Sequence, residues 1–406
     1  MKVIENGVVA PKGFKAAGIH AGIRQNKDKI DLSLIFSEVK AVAAAMYTSN
    51  LVKGAPIYVT KSNINDGYAQ AMLCNSGNAN TCNADGIEIA TESCEILAKN
   101  LNINANDVIV ASTGVIGLPL SIEPFKTGIP TLVSKLNNDK ESANNALLGI
   151  MTTDTVLKQL AVEIELSGKK VKIGAMTKGA GMISPNMATM LCFITTDIAI
   201  DKKMLNKALN EAVADSFNML SVDGDTSTND MVSIMANGLA KNPIITKDNA
   251  DYKLFKEALK YITKELAKMM AKDGEGATKL LIAKVSNAKT DKDAKIVAKS
   301  VINSSLLKAA MFGSDANWGR VLCAIGYSGA NVNIEKVDVA FESKQGKIRV
   351  CKNGAGIEFS EEFAKEILSE SEITIDIDLN DKNGYAEAFG CDLTYDYVKI
   401  NGDYRS

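Results

Sequence analysis

A chain of 406 residues has room for roughly two or three domains, and 46% hydrophobic with 23% charged residues is the composition of an ordinary globular protein. The 46 lysines and arginines nearly balance the 48 aspartates and glutamates, and the net charge of -2 gives no electrostatic reason to expect a nucleic-acid or membrane partner. The opening M-K-V-I-E-N-G has no basic stretch leading into an apolar one, and no apolar run approaches bilayer length, so the expected location is the cytoplasm.

In chain order, Ile87, Ala90, Cys94, Leu97 and Leu101 recur at helical spacing and predict a helix from about Gly86 to Asn100. V-I-V-A before Ser112-Thr113-Gly114 reads as a strand delivering a turn. Leu160, Val162, Ile164 and Leu166 alternate with other residues, and Ser167-Gly168 then leads to Val171 and Ile173, a hairpin pattern. Met190 to Ile194 is apolar throughout, as in a strand covered on both faces. A helix is predicted through Leu205, Leu209, Ala212, Val213, Phe217 and Leu220. Another runs through Leu254, Ala258, Ile262, Leu266 and Met270 and stops at Gly274, read as its cap. Val337, Val339 and Phe341 alternate, with Ile348 and Val350 returning, and Ile373, Ile375, Ile377 and Leu379 alternate against polar neighbours. The fold class is therefore mixed α/β, with no low-complexity linker or internal repeat to mark a boundary.

Absences narrow the chemistry. The seven cysteines (74, 82, 94, 192, 323, 351 and 391) are odd in number and contain no C-x-x-C pair, which argues against a disulfide framework or a zinc site and for reduced, buried thiols. His20 is the sole histidine, so a Ser-His-Asp or Cys-His arrangement would have to use it, and it reads as structural. No phosphate-cradling glycine loop is present. Its nearest imitation, G-E-G-A-T-K at Gly274 to Lys279, is too short and follows a helix.

The stretch Lys178 to Leu191, K-G-A-G-M-I-S-P-N-M-A-T-M-L, sets Thr189 after small Ala188, with Gly179, Gly181 and Pro185 permitting a tight approach. Threonine becomes an effective nucleophile when it begins a chain, because its own α-amine, with a pKa of about 8, accepts the hydroxyl proton. That requires cutting the Ala188–Thr189 bond. From spacing alone, a threonine leading into a buried strand reads as an inert strand residue, and the spacing does not carry the nucleophile reading.

The block K-G-A-G-M-I-S-P-N-M-A-T-M-L-C-F-I-T-T-D resembles the self-cleavage site of the ornithine acetyltransferase family, the glutamate N-acetyltransferases of the cyclic arginine pathway. Further blocks resemble it in the same order. They are P-K-G-F-K-A-A-G-I at Pro11, N-S-G-N-A-N at Asn75, S-T-G-V-I-G at Ser112, T-T-D-T at Thr152, D-G-D-T-S-T-N-D at Asp223, D-G-E-G-A-T-K at Asp273, G-S-D-A-N-W-G-R at Gly313 and the tail ending N-G-D-Y-R-S. The resemblance spans the chain. It implies an α chain of residues 1–188 and a β chain of 189–406, in a layered sandwich of sheets and helices with a smaller C-terminal α/β domain from about 280 to 406. Two α and two β chains are expected to assemble as a heterotetramer.

What the resemblance implies about the site is residue by residue. Thr189 is the nucleophile that takes acetyl from N-acetylornithine and gives it to glutamate, and Thr113 and Gly114 are the oxyanion donors. Thr152, Lys178, Glu275, Asn401 and Ser406 join Thr189 in binding substrate. Ser406 is the last residue, so the tail must fold back to the pocket, with Gly402 supplying the bend and Tyr404 an anchor. Lys178 and Glu275 offer the cation and anion that an α-carboxylate and a side-chain ammonium need; as isolated charged residues they read instead as a solvated lysine and a helix-end glutamate. Asp223, Asp225 and Asp230 are read as a hydrogen-bonding loop with no metal, and Trp318 has no assigned role. No resident cofactor is expected, since one amide is broken and one made. The residues leave open whether acetyl-CoA is a second donor, because the family holds members of both kinds. Two other readings stand beside this one: an N-terminal-nucleophile amidase or aminopeptidase passing the acyl group to water, and a non-catalytic binding or scaffold protein.

Overall fold

The structure is a computed structural model that describes residues 1–183 and 190–403. Among these residues the strands form two sheets, of nine and seven strands. In the first the order is Lys2–Ile4, Lys158–Leu166, Lys169–Lys178, Leu191–Thr196, Met231–Ala236, Leu32–Tyr47, Tyr68–Asn75 and Val108–Ser112, with Phe14–Ile19 also paired to Leu32–Tyr47. Two of its pairings are parallel: Met231–Ala236 with Leu191–Thr196, and Tyr68–Asn75 with Val108–Ser112.

The middle strands are apolar on both faces because both faces are covered. In Leu191–Thr196, Leu191 and Phe193 enter one core with Met231 and Met235, while Cys192 and Ile194 enter the opposite core under the helices Lys202–Ala214 and Ala250–Lys272. Helices Gly86–Leu101 and Glu123–Ser134 cover the outer part of the sheet with Leu97, Phe125 and Ile129. The layered α/β sandwich expected from the sequence is the fold observed.

The second sheet runs Ala355–Gly356, Gly346–Lys352, Asp338–Ser343, Glu372–Asp378, Leu280–Ala288, Gly384–Cys391, Leu220–Ser221. Leu280–Ala288 joins the two layers, sending Leu281, Ala283 and Val285 into the C-terminal core and Leu280 and Ile282 into the core beneath Ala250–Lys272. Trp318 packs at the edge of the C-terminal core, lying so close over Gly356 that a Cβ there would collide with its ring.

The helix at Gly86, the hairpin turning at Ser167-Gly168 (φ 46° and 74°) and the two C-terminal strand patterns are as predicted. Of the seven cysteines expected to be buried thiols, Cys82 and Cys323 are exposed, and two helix predictions also need correction. The helix expected to reach Leu220 ends at Ala214, because the Ser216 hydroxyl bonds back to Ala212 O at 2.6 Å; Phe217–Met219 forms a separate turn and Leu220 begins a strand of the second sheet. The long helix ends at Lys272 with Asp273 as its cap, so Gly274 is no left-handed cap. Gly274 lacks a side chain for a different reason: a Cβ there would stand 2.9 Å from Cys391 Sγ.

Candidate active site

Thr113 and Gly114 follow the buried strand Val108–Ser112. The Thr113 N–H donates to Asn75 O at 2.9 Å, and Asn75 Nδ2 donates to Ser112 Oγ at 2.7 Å, so the N-S-G-N-A-N block braces S-T-G. Gly114 has φ +124°, and a Cβ there would sit 2.9 Å from the Asn78 nitrogen; no other residue fits this turn. Asn229 adds a second brace by donating to Ala79 O at 2.6 Å and Ser112 O at 2.9 Å.

Lys178 ends the strand Lys169–Lys178 and reaches the same turn, with Nζ 3.4 Å from Thr113 Oγ1. Burial lowers its pKa, and the carboxylate of Asp154 opposes that shift. Burial would also raise Asp154, yet the ammonium groups of Lys178 and Lys158 and the Gly179 N–H, at 2.7 Å, hold it at about 2. Thr152 belongs to the same loop, its N–H donating to Asp154 Oδ2 at 3.1 Å.

Glu275 enters from the loop after the long helix. Its N–H donates to Ala180 O at 2.8 Å, and its carboxylate lies where a Cβ on Gly181 would be. Asn401 Nδ2 donates to Glu275 Oε2 at 2.8 Å. Up to Asp403 the chain shows no bend at Gly402: Gly402 closes the helix Tyr395–Gly402, and that helix brings Asn401 to Glu275. The helix docks on Gly276 (φ +68°), whose carbonyl accepts from Thr394 Oγ1 at 2.7 Å.

The acidic loop is a hydrogen-bonding device. Asp223 accepts from Met182 N at 2.6 Å and Ile183 N at 2.7 Å, while Asp230 accepts from Met190 N at 2.9 Å, so the two aspartates hold the backbone on either side of residues 184–189. Burial raises both carboxyls, Asp230 well above the ordinary range, and Asp230 Oδ2 is buried with no hydrogen-bond partner among the described residues. Asp225 contributes its backbone N–H to Asp223. Among the described residues no cluster of His, Cys, Asp or Glu side chains is arranged to hold a metal ion.

Thr113, Gly114, Thr152, Lys178, Glu275 and Asn401 line one cleft of about 450 Å³, with Met182 and Asn229. Ala188, Thr189 and Ser406, with Tyr404, lie outside the described residues. A neighbouring cleft of about 690 Å³ shares Gly114, Val115 and Thr152 and extends past Arg24 and Lys29. His20 lines neither cleft; its Nδ1 lies 2.9 Å from the O of Lys29, at the edge of the larger one. Sequence reasoning missed Asn75, Asn229, Asp154 and Asp273, although each stands inside a block that it singled out.

The chain matches the ArgJ family over residues 15–406. It is 52% identical over 408 residues to arginine biosynthesis bifunctional protein ArgJ 1 of Clostridium acetobutylicum, covering 100% of this chain and 99% of that one. To arginine biosynthesis bifunctional protein ArgJ of Bacillus subtilis it is 47% identical over 407 residues, covering 99% and 97%. A crystal structure of arginine biosynthesis bifunctional protein ArgJ from Bacillus halodurans is 47% identical, with a TM-score of 0.50, and covers 52% of this chain and 98% of that chain.

Proposed function

This chain belongs to the ArgJ family, and from that premise we propose that it transfers acetyl from N2-acetyl-L-ornithine to L-glutamate through an ester on Thr189, giving L-ornithine and N-acetyl-L-glutamate for arginine biosynthesis. The observation that carries the reading is the convergence of Thr113, Gly114, Thr152, Lys178, Glu275 and Asn401, from separate segments, on one cleft of a size suited to an amino acid.

Self-cleavage comes first. The Thr189 hydroxyl oxygen adds to the Ala188 carbonyl, the C–N bond breaks as its nitrogen gains a proton, and water hydrolyses the resulting ester. This leaves an α chain of 1–188 and a β chain of 189–406, whose part beyond about residue 280 is the proposed C-terminal domain. In support, the solved Bacillus halodurans chain is matched over 98% of its length by 52% of this one, so it is about half as long. The strand ending at Lys178 pairs with the one beginning at Leu191, an arrangement in which two cleaved chains would stay interlocked within one sheet.

In the transfer, the freed α-amine of Thr189 takes the hydroxyl proton while the oxygen attacks the acetyl carbonyl. The Thr113 hydroxyl and the Gly114 N–H stabilise the oxyanion, a contribution typically of about 3–4 kcal/mol per donor. Ornithine leaves with that proton, and the glutamate amine repeats the attack in reverse. Lys178 and Glu275 hold the substrate's carboxylate and ammonium, while Thr152, Asn401 and Ser406 complete the binding set. No nucleotide is consumed. The relatives are named bifunctional, and the second activity proposed here is acetylation of glutamate from acetyl-CoA. Two α and two β chains form the proposed assembly, in the cytoplasm; among the described residues no helix is long and apolar enough to cross a membrane.

The test is to incubate purified protein with N-acetylornithine, with and without glutamate. Acetylglutamate formation with parallel double-reciprocal plots, and one acetyl added to the β chain when glutamate is omitted, is the expected result. Free acetate formed irrespective of glutamate would favour an amidase. An intact single chain with no transfer would favour a binding protein. Acetylglutamate formed from acetyl-CoA without N-acetylornithine tests the second activity.

A further inference from the structure

Lys158 opens the strand Lys158–Leu166 and is 0% exposed. Its ammonium lies 2.6 Å from Asp154 Oδ1 and is also paired with Asp273 Oδ2. An unpaired charge at such depth is strongly unfavourable, and buried ion pairs often contribute less stability than apolar side chains of the same volume. The lysine is therefore poorly explained as a stabiliser, and what its two partners hold is more informative. Asp154 receives the N–H of Thr152 at 3.1 Å and the N–H of Gly179, the residue after Lys178, at 2.7 Å. Asp273 caps the long helix two residues before Glu275 and receives the Thr155 N–H at 3.0 Å together with the Thr155 hydroxyl.

We propose that Lys158, Asp154 and Asp273 form a positioning triad that ties together the three segments carrying Thr152, Lys178 and Glu275. Neither carboxylate lines the cleft; each acts through the backbone that it holds, and Asp154 also through its charge on Lys178. The triad joins T-T-D-T to D-G-E-G-A-T-K, two blocks that only the fold brings together. The inference rests on the acetyl-transfer reading of the cleft.

A second consequence is electrostatic. The charged and titratable groups acting on Lys178 are Asp154, Lys158, Cys74, Arg24 and Asp230, with the Thr113 hydroxyl at its tip. Asp154 is the foremost group keeping it an ammonium. Replacing Asp154 with a neutral amide of the same shape makes Lys178 lose its proton at lower pH, so the limb on which activity falls with rising pH moves down.

The experiment compares wild type, Asp154→Asn, Asp273→Asn, Lys158→Met and Lys158→Arg as full-length, self-processed protein. It measures kcat and KM for both substrates from pH 6 to 10 and follows thermal unfolding alongside. Asp273→Asn is expected to raise KM for N-acetylornithine about tenfold with kcat within about threefold, the pattern of a misplaced binding group. Asp154→Asn is expected to lower kcat/KM about a hundredfold and move the alkaline limb down by about one pH unit. Lys158→Arg should recover more activity than Lys158→Met; if Lys158→Met does not fold, the two near-isosteric aspartate variants decide. Folded variants with wild-type KM and an unmoved limb, or activity lost only in proportion to the unfolded fraction, would overturn the triad. A wild-type protein that transfers no acetyl overturns instead the function on which the triad rests.

Discussion

The C-terminal sheet and the cleft bury their side chains to opposite ends. In Glu372–Asp378, Ile373, Ile375 and Ile377 are fully buried against Val339, Phe341 and the helices Asp291–Asn303 and Glu361–Leu368, in a core built from apolar side chains. Around the cleft, burial instead takes in Asp154, Lys158, Lys178 and Asp230, and the chain has to supply a partner for almost every polar atom. The first arrangement maximises stability from area removed from water. The second forgoes some of that stability to hold charges and backbone donors where water cannot screen them, which makes them effective on a reacting carbonyl.

If that division holds, substitutions in the two regions should separate activity from stability. The largest effect belongs to Thr189→Ala, which should leave one uncut, inactive chain on a denaturing gel where wild type gives two; recovery of two fragments from the variant would remove self-cleavage by this residue. Next, Ile375→Ala should cost about 2–5 kcal/mol in denaturant unfolding. At a temperature where the variant remains folded, KM and kcat should stay at wild type, and a changed KM would show that the sheet does more than support.

Thr113→Ala should reverse that pattern, reducing kcat about a hundredfold while the unfolding midpoint stays close to wild type. Asn401→Ala frees the Glu275 carboxylate from its 2.8 Å bond and should raise KM for N-acetylornithine about tenfold with self-cleavage unaffected, as should deletion of residues 401–406 more strongly. Normal KM in the truncated enzyme would place the tail outside the site.

The smallest effect is at Asp230. Because burial raises its folded pKa well above the ordinary value, the native state binds the proton more tightly than the unfolded chain does. The aspartate therefore destabilises the protein increasingly as pH rises above its unfolded pKa, near 4. Asp230→Asn, which mimics the protonated form and can still accept from Met190 N–H, should raise the melting temperature by about 1–2 °C at pH 8 and by progressively less towards pH 4. An advantage that grows on acidification would reverse the sign and refute the assignment of a buried, strained carboxylate.

The regions also differ in how legible they were. The C-terminal strands could be read directly, since Ile373 to Leu379 alternates with a period of two and one face is wet. The helix through Leu205 was overextended because Phe217 and Leu220 continue its apolar spacing, although Ser216 turns its hydroxyl back on the helix and sends Leu220 to another sheet. Gly274 looked like a helix cap; its constraint comes from Cys391 across the fold. In the cleft, residue types and block order pointed to the chemistry, but no local pattern marks Lys158, which opens an otherwise ordinary strand.

By itself the sequence determined the alternating and helical segments, the absence of phosphate-loop and metal-ligand spacings, and the ordered blocks that identify the family. These are properties of residues near one another in the chain, where side-chain periodicity and turn chemistry act. The tertiary structure decided which blocks meet. Lys158 reaches Asp273 across 115 residues, Asn401 reaches Glu275 across 126, and Asn229 reaches Ser112 across 117. Such pairings follow from sheet order and helix docking, which depend on how the whole chain closes its cores, and no window of sequence contains that information.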